Sequence, residues 1–514
     1  MKTISLPFMK LKPTLLSVAL LGVFTAGVGS LSGCAVGPDY QRPAQTLPES
    51  YLATTTNNDV KASSDGNSGN KVESQKLVPG RDIPAEWWEL FHNQALNELV
   101  IASLKNNPTI DAAKAALRAA KEARAAQEAA FFPSVSASYS PTRQRVAKPL
   151  ASPAASGATY YNVQTAEVSV SYTIDVFGAN KRQVESESAQ QENQRLQLEA
   201  AYLTLASNIT NAAIQEAMLR GQISATKEVI RSQKQLLEMF ERQLTLGQLG
   251  QADLAAQEAA LAASEAQLPP LEKQLSVQRD LILALAGRYP NETGVATFEL
   301  DELQLPSELP LSLPSKLIDQ RPDVRAAEEQ MHAASAAIGA AIANRLPNFT
   351  IGATSYGSAA ENFSDLFKAS GAFWNLAANI TQPIFDGGAL KHKQAVAQAV
   401  YDQAAAQYRS IVLGAFQNVA DSLQAIQYDN NAYAAAYKSE QASLKSVTIA
   451  RKQFALGDIS TASLLVAEQT YQQAKSALVQ AQANRLSDTV ALIQSLGGGW
   501  MNKKETSDKS KLAS

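Results

Sequence analysis

Apolar and polar positions alternate most clearly over residues 165–176. Ala166, Val168, Val170, Tyr172, Ile174 and Val176 interleave with Thr165, Glu167, Ser169, Ser171, Thr173 and Asp175. Side chains of a strand point alternately to its two faces, so this run predicts a strand with one apolar and one polar face. Trp374, Leu376, Ala378, Ile380 and Ile384 alternate similarly with Asn375, Asn379 and Thr381. Shorter partners are residues 134–140, where four serines alternate with Val135, Ala137 and Tyr139, and residues 348–356, with Phe349, Ile351 and Ala353 on one face. The pattern predicts four strands in two hairpins, with polar tips around residues 142–162 and 357–371.

Between and after the hairpins the period becomes helical. Residues 182–246 hold no Pro and no Gly except Gly221. A helix of about 64 residues, at 1.5 Å each, extends about 95 Å. Leu219, Ile223, Ile230, Leu237, Phe240 and Leu244 form a ladder of alternating four- and three-residue steps, interrupted by Thr226 and Gln233. That seven-residue repeat predicts coiled-coil packing. Leu246-Gly247 ends the helix at a residue suited to the left-handed conformation, and a second helix returns to Ala286. Residues 391–456 repeat the design, turning at Gly457 and returning to Leu496.

The chain therefore uses one unit twice. Asn107-Pro108 and Arg321-Pro322 open Ala-rich helices that end at Phe132-Pro133 and Leu346-Pro347, and Leu246-Gly247 and Ala286-Gly287 recur as Leu456-Gly457 and Leu496-Gly497. Landmarks in one order at a nearly constant offset are the mark of an internal repeat. Each repeat, 87–299 and 321–500, reads as helix, two strands, very long helix, turn and helix. Residues 300–320 form the joint, and 501–514 are a flexible tail.

The amino terminus reads as an address. Residues 1–38 contain no Asp or Glu, begin with Lys2, Lys10 and Lys12, and continue as an apolar stretch ending at Leu31-Ser32-Gly33-Cys34. This is the layout of a secretory signal. The ending resembles a bacterial lipobox, which implies removal of residues 1–33 and acylation of Cys34; Ala35, in place of Asp, implies delivery to the outer membrane. An uncleaved membrane helix is the alternative, and Gly22, Gly27 and Gly29 weaken it. Residues 34–86, rich in Ser, Thr, Asn and Gly beyond Ala44, predict an extended lipidated arm along the body's surface.

Strands polar on one face and apolar on the other fit an outer-membrane barrel, with water inside and lipid outside. The same periodicity fits a soluble sandwich; the signal peptide and the scattered Tyr and Trp favour the membrane. A spanning sheet must close, because hydrocarbon leaves an open edge unsatisfied. Four strands are too few, since barrels begin at about eight. Three copies supply twelve, the symmetric solution.

Composition narrows the function further. The 514 residues carry 45 Lys and Arg against 48 Asp and Glu, a net charge of -3, which argues against nucleic-acid binding through phosphates. One Cys rules out internal disulfides, and the isolated His92, His332 and His392 offer little for a metal centre. No GxSxG, HExxH or GxxxxGK[ST] pattern occurs, so an enzyme is not expected.

A set of landmarks spans Cys34 to Trp500. They are Cys34-Ala35-Val36-Gly37-Pro38-Asp39-Tyr40 with Arg42-Pro43, Trp87-Trp88 with Phe91, Asp175-Val176-Phe177-Gly178, Gln382-Pro383-Ile384-Phe385-Asp386-Gly387-Gly388, and Gly497-Gly498-Gly499-Trp500. With them the chain resembles TolC-like outer-membrane factors, in the lipoprotein branch typified by the OprM and NodT proteins. The resemblance implies a mainly α protein with membrane β-structure: a homotrimer whose twelve-stranded barrel continues into a periplasmic helical barrel. It also implies a periplasmic adaptor and an inner-membrane pump, commonly of the resistance-nodulation-division class, with passive conduction through the channel and no cofactor beyond the lipid on Cys34.

In such proteins the turns at Gly247 and Gly457 lie at the periplasmic mouth, where inter-helix contacts and acidic side chains close the channel. Asp253 matches the acidic position of the first repeat. In the second, Val466 stands where an aspartate is often found, and Asp458 and Glu468 are the nearest acids. The candidate gate is therefore Asp253, Asp458, Val466 and Glu468, a hydrophobic constriction being the other possibility. Two further readings stay open: the exit duct of a type I protein-secretion system, and a non-conducting periplasmic coiled-coil scaffold.

Overall fold

The computed structural model describes residues 35–43, 48, 50–52, 59–60, 75–145, 147 and 159–502. The signal peptide, Cys34 with its expected acylation, and residues 503–514 of the tail lie outside the described residues.

Two short strands, β1 (Asp59–Val60) and β2 (Gln75–Pro79), precede the first repeat. That repeat runs α1 (Gln94–Asn106), α2 (Pro108–Glu128), β3 (Ser134–Arg145), β4 (Tyr160–Ile174), α3 (Ala179–Thr245) and α4 (Gln251–Leu285). After β5 (Glu308–Leu311) the second runs α5 (Pro314–Gln320), α6 (Pro322–Ala343), β6 (Asn348–Ala360), β7 (Ala372–Thr381), α7 (Ala389–Ala455) and α8 (Thr461–Ser495). The order recurs and so do the lengths: α3 and α7 each have 67 residues, α4 and α8 each 35. Pro108 and Pro322 open their helices, where the missing N–H costs nothing. One asymmetry is Pro269-Pro270 inside α4, which removes two ladder donors that α8 keeps.

The chain divides into two compact units, and each repeat contributes to both. The first holds residues 120–190 and 330–404, together with 35–41 of the described arm. Its centre is a four-stranded antiparallel sheet in the order β3-β4-β6-β7. Toward the tips the strands run further than the alternation alone predicts, but at the helix end β4 stops at Ile174, so Asp175 and Val176 fall outside it. Ile384 falls outside β7, which stops before Gln382-Pro383; proline has no N–H to continue a ladder.

The second unit holds residues 42–119, 191–329 and 405–514. Six of the eight positions of the predicted ladder, Leu219, Ile223, Thr226, Ile230, Gln233 and Phe240, are buried, while Leu237 and Leu244 are partly buried beside buried Leu236. The first polar interruption is satisfied locally, the Thr226 hydroxyl donating to the Gln222 backbone carbonyl at 2.8 Å; at the second, the Gln257 side-chain amide of α4 donates to the Gln233 backbone carbonyl at 3.0 Å, tying α4 to α3 at that position. Burying each large apolar side chain contributes about 1.5–3 kcal/mol, so packing rather than helix propensity holds these Ala- and Gln-rich helices.

A small second sheet, β1-β2-β5, has no counterpart in the alternation pattern. The described end of the arm pairs with the joint, β2 lying parallel to β5 from Lys76 against Glu308 to Pro79 against Leu311. Buried Gln75 fixes it, its amide donating to the Pro306 carbonyl at 3.2 Å and to the Thr489 hydroxyl at 3.0 Å.

Candidate functional site

Strand register sorts the four-stranded sheet into rows. Ser136, Ser169, Thr354 and Asn375 lie side by side across it, as do Val135, Val170, Ala353 and Leu376 one residue away. The row Ile174, Phe349, Ile380 continues the apolar face, and Thr173, Thr350, Asn379 the polar one. Polar neighbours bond along the face: Ser136 and Ser169 hydroxyls at 3.2 Å, Ser138 donating to Glu167 at 3.2 Å, and the Thr354 N–H donating to Asn375 Oδ1 at 3.1 Å. The apolar face is largely open, with Trp374 77% and Leu376 69% exposed, except near the second hairpin tip, where Phe363 packs edge-on against Tyr139 and the Ser358 hydroxyl donates to the Leu366 carbonyl. This is not the buried face of a soluble sandwich. Among the described residues β3 and β7 each have a single partner, so both outer edges present unpaired backbone groups.

At the strand–helix junction of this unit, the described arm is clamped. Arg182, near the start of α3, has a side chain only 4% exposed. It donates to Asp39 at 2.7 Å, to Glu185 at 2.8 Å and to the Val36 and Gly37 carbonyls. The Val36 N–H donates to the Phe177 carbonyl at 3.1 Å, Tyr40 stacks on His332 at 4.4 Å, and His332 meets Glu185 at 3.3 Å. Gly37 has φ +97°, and a Cβ there would stand 2.4 Å from the Gly339 backbone. These contacts explain the Gly37-Pro38-Asp39-Tyr40 landmark, and they fix Ala35, the residue after Cys34, against Gly178.

In the second unit the hairpin turns are built alike. Gly247 has φ +71° and Gly457 φ +80°. Gly247 N–H bonds Leu244 O and Gln248 N–H bonds Gln243 O; Gly457 and Asp458 repeat this with Phe454 and Gln453. This paired closure requires a left-handed residue, which glycine adopts without a Cβ penalty. Just behind the turns Phe240 stacks on Phe454, ring centroids 5.0 Å apart, in a cluster with Leu236, Leu254, Ala450 and Leu464.

The four candidate gate residues occupy different environments. Asp253 is half-buried in the first turn of α4, and Asp458 is exposed just after Gly457. Val466 is 63% exposed on α8. Glu468 is 1% exposed and held by Arg451, which donates to both its oxygens at 2.6 and 2.9 Å and to Ser232 of α3 at 2.7 Å. The hydrogen bonds to Glu468 hold the Arg451 guanidinium above its ordinary value. Lys475 pairs in turn with Glu228. Sequence reasoning missed Arg451: it sought acids near the turn, and this partner lies on the opposite arm of the hairpin.

Further along the same hairpin, Asp488 of α8 meets Asp429 of α7. Burial, and then the hydrogen bond and charge of Asp429, push Asp488 up to about 7. Among the described residues no cluster of His, Cys, Asp and Glu is arranged to hold a metal, and no helix is long and apolar enough to cross a membrane.

Comparison with known proteins bears on this arrangement. The family model for outer membrane efflux proteins matches residues 99–288 and 313–498. The probable efflux pump outer membrane protein TtgC of Pseudomonas putida is 26% identical over 475 residues, 91% of this chain and 93% of its own. The cation efflux system protein CusC of Escherichia coli K12 is 26% identical over 477 residues, 91% of this chain and 97% of its own. Among solved structures, the outer-membrane channel OprN superposes with a TM-score of 0.80 at 25% identity, covering 91% of this chain and all of that one. The open state of the Neisseria gonorrhoeae MtrE outer membrane channel shares the fold, with a TM-score of 0.76 at 24% identity, covering 91% of this chain and 99% of that one.

Proposed function

The chain belongs to the outer membrane efflux protein family and is the outer-membrane channel component of a tripartite efflux system, and we propose that three copies complete its pore. The observation that carries the proposal is the sheet itself: a polar face, a largely open apolar face and, among the described residues, two open edges in one chain. In lipid an open edge leaves several kcal/mol of unmet hydrogen bonding per backbone group, so β3 of one copy pairs with β7 of the next until the ring closes. Twelve strands then place the Ser136–Asn375 row on water and the Val135–Leu376 row on lipid.

The long helices extend this duct through the periplasm, and a lipid on Cys34 tethers to the membrane the arm that Arg182 grips at Val36, Gly37 and Asp39. The channel conducts passively and catalyses nothing. Energy comes from an inner-membrane pump of the resistance-nodulation-division class, joined to the channel by a periplasmic adaptor. Asp253, Asp458 and Val466 belong to the closed mouth beside the Gly247 and Gly457 turns, and Glu468 acts there as the buried counter-ion of Arg451.

Planar-bilayer recordings test the conduit. Purified protein is expected to open discrete conductance steps, and replacing Asp253 and Asp458 by alanine to raise the leak at low voltage. A protein that inserts and never conducts, with or without those acids, is a scaffold.

A further inference from the structure

Charge in the four strands of the sheet is segregated by face. The only basic residues in β3, β4, β6 and β7 are Arg143 and Arg145, and the only acid is Glu167. Glu167 pairs with Ser138 on the polar face. The pairing of β3 with β4 is unbroken from Ser134 to Arg145, so Arg143 and Arg145 share the apolar face with Val135, Ala137 and Tyr139.

Their height on that face is defined by aromatic rings. Tyr139 and Tyr356 lie in neighbouring rows, each about half exposed, and Trp374 is on the same face of β7. Tyr139 turns its hydroxyl to Gln164 at 2.5 Å, on the side away from the helices. Tyr and Trp with one apolar and one wet end mark the boundary of the hydrocarbon. Beyond it come Pro141 opposite Gln164, Arg143 opposite Asn162, and Arg145 opposite Tyr160, with no acid among them. Two residues apart on one face, the guanidinium groups project from points about 6.6 Å apart. Arg145 lies over the Tyr160 ring at 5.2 Å, and Arg143 is exposed with no hydrogen bond or ion pair among the described residues.

We propose that Arg143 and Arg145 form a binding site for the phosphate groups of a phosphorylated glycolipid in the outer leaflet. This rests on the trimeric barrel, which turns the apolar face to lipid and the Arg145 end to the cell exterior. A planar guanidinium binds phosphate through two parallel N–H donors, and an arginine at this depth reaches headgroups without entering hydrocarbon. A soluble anion travelling through the pore meets the other face, whose strands carry no cation. A trimer presents six arginines as a collar above the aromatic ring, fastening the barrel laterally to its own leaflet.

Native mass spectrometry of the full-length detergent-purified protein, titrated with diphosphorylated lipid A, counts protomers and lipids together. The wild type is expected to bind lipid A as a trimer, Arg143→Ser/Arg145→Ser to bind about tenfold more weakly, and Arg143→Lys/Arg145→Lys to fall between. Millimolar inorganic phosphate is expected not to displace the lipid. Trimers whose lipid A binding ignores these substitutions, or yields to free phosphate, overturn the lipid site and leave the barrel standing. A protein found only as single chains overturns both.

Discussion

Arg451→Ala is expected to raise the leak of the reconstituted channel more than any other single change near the hairpin turns. Glu468 is almost wholly buried, and Arg451 holds both of its carboxylate oxygens and ties α7 to Ser232 of α3. Truncating the arginine strands a buried carboxylate, which costs about 3–5 kcal/mol. The exposed bridges nearby, Lys227 with Glu272 at 3.2 Å and Lys234 with Glu265 at 2.9 Å, are each worth about 0–1 kcal/mol. Lys234→Ala is therefore expected to leave conductance and thermal stability unchanged. The double substitution Arg451→Leu/Glu468→Leu removes both charges and is expected to recover most of the lost stability. Bilayer leak and thermal dissociation of the three variants measure this; an Arg451→Ala channel as tight as Lys234→Ala removes the clamp from the account.

The second large effect is on the sheet. Leu376→Arg places a charge in the middle of the apolar face, opposite Ala353 and in the row of Val135 and Val170. On a lipid-facing strand an arginine at the bilayer midplane costs about 2–4 kcal/mol in each copy. Asn375→Arg, one residue earlier, enters the polar row with Thr354 and Ser169 and is expected to assemble normally while shifting ion selectivity toward anions. The yield of heat-dissociable oligomer in outer membranes separates the two. If Asn375→Arg is the variant that fails, the faces are assigned the wrong way round.

How much of this was legible in the sequence follows from the length and regularity of each signal. Alternation over a dozen residues placed β4, and shorter alternating stretches placed β3, β6 and β7. The ladder from Leu219 to Leu244 marked the packed stripe of α3, including the positions where Thr226 and Gln233 are buried rather than exposed. The glycines at 247 and 457 were readable because a helix end needs one left-handed residue. The β1-β2-β5 sheet was not legible: β2 and β5 have five and four residues, carry Pro79 and Pro310, and pair across more than two hundred positions. The Arg451–Glu468 pair was hidden for a similar reason, its partners lying on opposite sides of the Gly457 turn. The Gly37-Pro38-Asp39-Tyr40 landmark was visible as a pattern, but its reason, a buried arginine contributed by α3, needed the fold.

A closed pore requires separate chains to share one sheet, and edge cross-linking tests that most directly. Within one chain Ser136 of β3 and Asn375 of β7 are three strand spacings apart, about 14 Å, twice what a disulfide spans. Any bond between cysteines at these edges must therefore join different chains. With Ser136→Cys fixed and a second cysteine walked along the polar face of β7 at Asn375, Ala377 and Asn379, oxidation in native membranes is expected to trap at least one pairing as a covalent species of three chains. Single chains at every position, or a ladder that continues past three, would contradict a closed twelve-stranded pore.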